Sequence, residues 1–330
     1  MNRLLLLDGN ALLHRAYHAL PPLTTSSGQP AGAVYGFISM MLKFQIDLHP
    51  SHYAVTFDRP APTFRKQLYP EYQSQRPEMD TELVGQIQIV HDVVKAFGVR
   101  NFEMDGFEAD DVIGTIVESI KASKHQSNKE AGIDQIIIVT GDRDILQLVE
   151  DDHVLLYMPV KGLSEAKLYG EKEVVERLGV MPSLIPDWKG LAGDASDNYP
   201  GVAGIGPKTA ATLVNSYGSV EQLYEAIENN TAQISEKVKE KLVNGKKEAF
   251  LSKNLATIRK DVPIEIDEHL LTIETFDTPN VRDMLTTLGF PSLLKRMKIT
   301  GSVDIKEEKD TKNDDKEKKK EHSSQMDLFS

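Results

Sequence analysis

Cysteine is absent from the chain, which excludes a disulfide framework and any thiolate metal site. That absence suits a reducing cytoplasm. No long hydrophobic run opens the sequence. MNRLLLLDGN holds four leucines and then an acid, far short of what spans a bilayer or forms a secretory core, so it reads as a strand. An excess of positive charge is missing too. The 330 residues carry 38 Lys and Arg against 50 Asp and Glu, a formal net charge of −12. Nucleic-acid binders are usually basic, so this argues against one, unless many carboxylates gather at one place and are neutralised by metal. No Ser/His/Asp constellation stands out, because the 9 histidines are scattered. What remains is 40% hydrophobic and 27% charged, the composition of a soluble globular protein, long enough for one large domain or two smaller ones.

Three segments share one design. LLLLD ends at Asp8, YAVTFD at Asp58, and IIIVTGDRD at Asp142 and Asp144. Short aliphatic runs of this kind fit strands buried on both faces. Between them lie stretches of helical period, AVYGFISMMLKFQI, ELVGQIQIVHDVVKAFG and ADDVIGTIVESIKA. The alternation predicts an α/β fold with a mainly parallel sheet over residues 1–165. Ligands of such sheets bind beyond the carboxyl ends of the strands, so the strand-end acids converge. Residues 59–80, rich in Pro, Arg and aromatics, form a long connection, and such connections tend to be functional. The polar stretch 121–134 reads as a surface loop. From about 170 the pattern is helical, which predicts a second, helical domain over 166–300. The run VDIKEEKDTKNDDKEKKKEH at 303–322 is almost free of apolar residues and reads as disordered.

Nine carboxylates sit at strand ends or helix starts: Asp8, Asp58, Glu108, Asp110, Asp111, Asp142, Asp144, Asp194 and Asp197. Each alone reads as a turn or helix-cap residue. Brought together they repel strongly, so either several pKa values rise or cations neutralise them. All-oxygen ligands favour hard ions, Mg²⁺ or Mn²⁺, over zinc, and such a site points to two-metal phosphoryl chemistry.

The stretch GDASDNYPGVAGIGPKTA carries two of these acids and then a phosphate cradle: Gly201, Gly204 and Gly206, followed by Pro207, Lys208 and Thr209. It is neither a Rossmann fingerprint, since no strand precedes it, nor a Walker A motif. It looks like a helix-hairpin-helix turn, whose glycines let backbone N–H groups approach a phosphate and whose next helix adds positive potential. Such contacts ignore base sequence and weaken with salt. One segment thus pairs a metal-holding end with a backbone-gripping end, which fixes the distance from gripped duplex to cleaved bond.

LLLLDGNALLHRAYHAL, AVYGF, TFD…TFR, GFEADD, VTGDRDILQL and GLAGDASDNYPGVAGIGPKTA together resemble the 5′ nuclease domain of bacterial DNA polymerase I, within the flap endonuclease family, over about residues 2–298. The resemblance implies a PIN-like α/β core with a helical arch at about 60–95, and a helical domain bearing the hairpin. It implies a 5′–3′ exonuclease and 5′-flap endonuclease acting near single-strand/duplex junctions in replication and repair, at flaps, nicks or RNA-primed ends. The family's metal ligands fall on all nine carboxylates, and a potassium ion is often associated with the hairpin. Arg65 and Arg76 match basic residues that contact the scissile phosphate, with Lys66 a further candidate. Tyr35 is a candidate for stacking on a junction base. A soluble cytoplasmic, nucleoid-associated monomer is expected.

Two departures stand out. The family's tyrosine-lysine pair reads Tyr72-Gln73, and glutamine supplies no charge. The chain also ends in QMDLFS after its charged run, which reads as a stand-alone enzyme. Gln325, Met326, Asp327, Leu328 and Phe329 resemble the bacterial sliding-clamp-binding peptide, two apolar anchors on a disordered linker. A non-catalytic junction-binding scaffold, a small RNA nuclease and an aspartyl-phosphate phosphatase are the competing readings. The last needs a DxD pair where Asp8-Gly9-Asn10 stands.

Overall fold

The computed structural model describes residues 1–126, 132–161 and 165–300. The 303–322 run and the 325–329 peptide lie outside them. Six strands form one sheet: β1 (Arg3–Asp8), β2 (His52–Thr56), β3 (Arg100–Phe102), β4 (Gln135–Val139), β5 (Val154–Lys161) and β6 (Glu165–Tyr169), in the order β3-β2-β1-β4-β5-β6. The first five are parallel and β6 is antiparallel. From β1 the chain winds outward to β2 and β3 on one side, and from β3 it crosses back to β4 on the other side of β1. The switch point therefore lies at the carboxyl end of β1, where such sheets open a crevice.

Helices α1 (Gly9–Ala19), α2 (Gly32–Leu48), α3 (Phe64–Leu68), α4 (Thr81–Ala96) and α5 (Ala109–Gln126) belong to this half. The strands are apolar on both faces because both are covered. Leu5, Leu7, Ile137 and Val139 pack toward α1, α2 and α4. Leu4, Leu6, Ile136 and Ile138 pack toward α5, in a core that runs on into the helical half. Asp8 ends β1 and caps α1, its Oδ1 accepting from Ala11 N at 3.0 Å. Gly9 follows because any Cβ there would lie 2.3 Å from the Phe57 ring.

The helical half comprises α6 (Glu171–Leu178), α7 (Ile185–Ala192), α8 (Pro207–Tyr217), α9 (Val220–Glu228), α10 (Glu236–Asn244) and α11 (Lys246–Ala256). Gly190 of α7 lets α11 approach closely, with Lys253 Cβ 2.9 Å from where its Cβ would be. Helices α12 (Pro279–Leu288) and α13 (Pro291–Thr300) do not join this half. They return to the sheet half, burying Val281, Leu285, Leu293 and Met297 beside α2 and α4, and Arg296 Nη1 donates to Ser39 Oγ at 2.5 Å.

Three expectations change. Residues 165–169 are a strand of the sheet rather than the start of the helical half, and 279–300 belong with the sheet half. The arch expected at about 60–95 is shorter, because α4 is a packed helix with Leu83, Val90, Val93 and Val94 buried. Only the stretch before Thr81 is left to bridge the site. The surface loop expected at 121–134 begins late, since α5 continues to Gln126.

Candidate active site

A cleft of about 960 Å³ opens at the switch point. Seven of the nine carboxylates line it: Asp8, Asp58, Glu108, Asp110, Asp142, Asp144 and Asp197. The folding of each strand end aims them. Thr140 Oγ1, just past β4, donates to Asp8 Oδ2 at 2.6 Å and accepts from Asp142 N at 3.0 Å. Asp142 Oδ1 in turn accepts from Asp144 N at 2.8 Å. Past β2, Asp58 Oδ1 accepts from Ala109 N at 2.7 Å, tying it to the start of α5. Glu108 takes Tyr72 Oη at 3.2 Å. Asp144, Asp194 and Asp197 present carboxylate oxygens within 4.8 Å of one another.

Burial raises several of these acids, and their neighbours' charges add to it. Asp8 and Glu108 are pushed up to about 7, and Asp144 to about 6 against the opposing charge of Lys189. Asp110 is raised well above the usual carboxylate range, by burial and then by Asp142, Asp8, Asp144 and Glu108. Such a donor set, all oxygen and all acidic, fits hard divalent cations. The raised values set a pH dependence. A carboxyl whose folded pKa is raised contributes stability at low pH that is lost as pH rises from its unfolded value near 4 through about 7. Divalent ions require the ionised form and reverse that loss. A divalent cation is therefore expected to raise Tm little at pH 5.5 and increasingly up to pH 8. Thermal melts across that range test this, and a pH-independent rise contradicts it.

Two of the nine stand elsewhere. Asp194 lies beside the cleft, its Oδ1 accepting from Ser196 N at 2.8 Å and its Oδ2 from Lys189 Nζ at 2.5 Å. Asp111 faces away. It is fully buried and forms a two-pronged pair with Arg65, Nη1 to Oδ2 at 2.7 Å and Nη2 to Oδ1 at 2.9 Å. Arg65 lines the cleft but is only 2% exposed. It also pairs with Glu108 Oε2 at 3.3 Å and donates to the carbonyls of Leu255 and Thr257, at 2.7 and 3.0 Å, so its guanidinium is spent on protein partners.

Arg76 and Lys66 also line the cleft. Arg76 Nη2 rests on Asp197 Oδ1 at 2.6 Å, and Lys66 Nζ donates to Tyr72 O at 2.8 Å. Gln73, with φ +53°, donates its amide to Asp197 Oδ1 at 3.3 Å. Tyr35 is half-buried away from the cleft, edge-on to Phe290 and bonded to Ser292 Oγ at 3.0 Å, so it packs α2 against α13 rather than awaiting a base.

At the hairpin Gly204, Gly206 and Lys208 are exposed and Thr209 is half-buried. Gly206 caps α8, Pro207 is its first residue, and no side chain occupies the cap. That leaves first-turn N–H groups for an anion. The lone tryptophan holds the turn, Trp188 Nε1 donating to Pro207 O at 2.9 Å. Gly201 is buried and plays another part. With φ +61° and a would-be Cβ 2.2 Å from Gly193 N, it lets two backbone segments touch.

Sequence reasoning missed Lys189 and Tyr199. Lys189 is 6% exposed and its ammonium pairs with both Asp144 and Asp194. Those acids hold it charged against its burial. A lysine within IPDWKGLAGD, five residues before Asp194, was the available signal.

Two family models match. The "5'-3' exonuclease, N-terminal resolvase-like domain" covers residues 3–179, and the "5'-3' exonuclease, C-terminal SAM fold" covers 180–279. Among curated relatives, DNA polymerase I of Caldicellulosiruptor bescii is 39% identical over 302 residues, which is 91% of this chain and 34% of that protein. DNA polymerase I of Bacillus subtilis is 37% identical over 295 residues, 89% and 32%. The chain thus spans about a third of the length of the curated relatives it matches. Among solved structures, T5 5'-exonuclease with bound zinc superposes with a TM-score of 0.62 at 19% identity, covering 92% of this chain and 99% of that one. The catalytic core of Rad2 in complex with DNA gives 0.58 at 15%, covering 91% and 92%. These likenesses confirm the α/β nuclease fold, and the matches across both halves place the chain in the 5′–3′ exonuclease family.

Proposed function

We propose that this chain is a metal-dependent 5′–3′ exonuclease and 5′-flap endonuclease that hydrolyses phosphodiesters near single-strand/duplex junctions, at flaps, nicks or RNA-primed ends. The observation that carries this reading is the convergence of seven carboxylates on one cleft, joined through Asp194 and Asp197 to an exposed phosphate-binding turn. Asp8, Asp58, Glu108, Asp110, Asp142, Asp144 and Asp197 hold Mg²⁺, with Mn²⁺ able to replace it and Asp194 completing the second position. Divalent ions held there would supply an acidified water and offset charge on the attacking and leaving oxygens. Gly204, Gly206, Lys208 and Thr209 hold the duplex backbone independently of sequence. A potassium ion at this turn would share it with Lys241, whose ammonium already donates to Gly204 O at 2.8 Å.

Arg76 is the cleft residue best placed to meet the scissile phosphate, because it is half-exposed and releases Asp197 when that carboxylate takes a cation. Lys66 supplies the next nearest charge, while Gln73 supplies none. Arg76→Ala is expected to lower the single-turnover rate about 10²-fold, the size of a lost transition-state donor, with a smaller change in DNA affinity. An unchanged single-turnover rate refutes the role.

The peptide Gln325–Phe329 is proposed to bind the bacterial sliding clamp, bringing the monomeric enzyme to replicating DNA in the nucleoid. Removing residues 325–330 should weaken clamp binding at least 10-fold, the gain expected of a tethered anchor, and leave cleavage of a free flap duplex unchanged. Unchanged clamp affinity rules the peptide out.

The deciding assay incubates the protein with a 5′-flap duplex labelled at each end in turn, with Mg²⁺, with EDTA, and alongside Asp142→Ala. Metal-dependent cuts near the junction that the variant lacks establish the activity and its polarity. Tight binding with no cleavage under any metal favours the scaffold instead.

A further inference from the structure

Tyr199 is buried, 3% exposed, yet its hydroxyl is one of two buried side-chain polar atoms without a hydrogen-bond partner among the described residues. Buried hydroxyls are ordinarily paired, and an unpaired one calls for a reason. Its place is fixed. The backbone of Tyr199 pairs with that of Asp194 in both directions, each bond 3.0 Å, and its ring stacks on Tyr72 at 6.4 Å and 15°. Tyr72 Oη in turn donates to Asp197 Oδ2 at 3.4 Å, so the stacked rings stand beside the triad of Asp144, Asp194 and Asp197, whose oxygens lie within 4.8 Å of one another.

The triad also lacks room for a full set of protein ligands. Asp194 spends Oδ1 on Ser196 and Oδ2 on Lys189. Asp197 Oδ1 is shared by Arg76 and Gln73. A divalent ion entering here displaces Lys189 or Arg76 and keeps part of its water shell, as hard cations held by few carboxylates do. Waters on a dication are strong donors, and the nearby phenol oxygen is a buried acceptor with nothing to accept.

We propose that Tyr199 is a positioning residue for the divalent cation held by Asp144, Asp194 and Asp197, its hydroxyl accepting a hydrogen bond from the ion's hydration shell. This rests on the cation-holding part of the function proposed above. It gives the buried hydroxyl a partner.

Tyr199→Phe removes the hydroxyl and nothing else. In EDTA the variant melts at the same temperature as the parent or higher, because no bond is lost. Mn²⁺ binding, followed by calorimetry and by the paramagnetic resonance of free Mn²⁺, resolves two classes of site in the parent. In Tyr199→Phe the weaker class loses affinity about 3- to 10-fold, the worth of one hydrogen bond, and the tighter class is unchanged. Asp197→Asn identifies the weaker class by abolishing it. In flap cleavage the half-saturating Mg²⁺ concentration rises by the same factor while the rate at saturating Mg²⁺ holds. The proposal is overturned if the parent binds one class only, if both classes weaken together, if neither moves, or if Tyr199→Phe already melts lower in EDTA. Two classes that respond as expected, in a protein that cleaves no DNA, would sink the nuclease reading and leave this one standing.

Discussion

Asp110→Asn should abolish cleavage and stabilise the ion-free protein at once. Asp110 stands at the start of α5, in the cleft, with Asp142, Asp8, Asp144 and Glu108 all acting to raise its pKa beyond what burial does. Ion-free, this carboxyl either faces neighbouring negative charge or holds a proton that the unfolded chain gives up at neutral pH. The amide keeps the shape and carries neither cost. One such charge removed is worth about 1–2 kcal/mol in a partly buried cluster, or roughly 2–3 °C in Tm for a chain of this size. With Mg²⁺ present the order reverses, because the parent gains the binding energy of ions that the variant holds poorly. The single-turnover rate should fall about 10³-fold. Melts in EDTA and in Mg²⁺, together with a single-turnover assay, read all three. A variant that is inactive but destabilised in EDTA would mean that Asp110 is a structural acid, held by partners rather than crowded by rivals.

That crowding was legible in the sequence for a definite reason. A parallel sheet covered on both faces makes its strands continuous apolar runs, so an acid that ends such a run is conspicuous. Asp8, Asp58, Asp142 and Asp144 all follow this rule, and the switch point at β1 brings them together. The strands without it went unseen. β5, VLLYMPVK, is an apolar run that no acid ends. β3 is three residues long and largely exposed, and β6 is an edge strand whose Lys167 lies over the Tyr169 ring, so these two show no unbroken apolar face. Side-chain pairing was less legible still. Asp110 and Asp111 are adjacent in sequence, but on a helix neighbours point about 100° apart, so one enters the cleft and the next enters the core. Nothing local separates them. The partners that do, Arg65 and the carbonyls of Leu255 and Thr257, lie far along the chain. Lys189 was hidden in the same way, because its helix already holds Asp187 while its partner acids Asp144 and Asp194 lie outside that helix.

Arg65 therefore yields the second large effect, on stability rather than on chemistry. Its guanidinium joins three pieces of the molecule: α3, where it stands, α5 through Asp111, and the end of α11 through Leu255 O and Thr257 O. Asp111 also accepts from Arg259 N at 2.8 Å and Glu108 N at 3.1 Å, so this one pair ties the sheet half to the helical half beside the cleft. Arg65→Met leaves Asp111 buried without its counter-charge, which costs about 3–5 kcal/mol. Arg65→Lys recovers little, because an ammonium cannot hold two carboxylate oxygens and two carbonyls in one plane. The double variant Arg65→Met/Asp111→Leu should be more stable than Arg65→Met alone, since it removes the stranded charge as well as its partner. Denaturant unfolding of the three variants measures the order. If Arg65→Met instead unfolds like the parent and loses only cleavage, the guanidinium serves the substrate after all. The buried pair would then be a resting arrangement that DNA undoes.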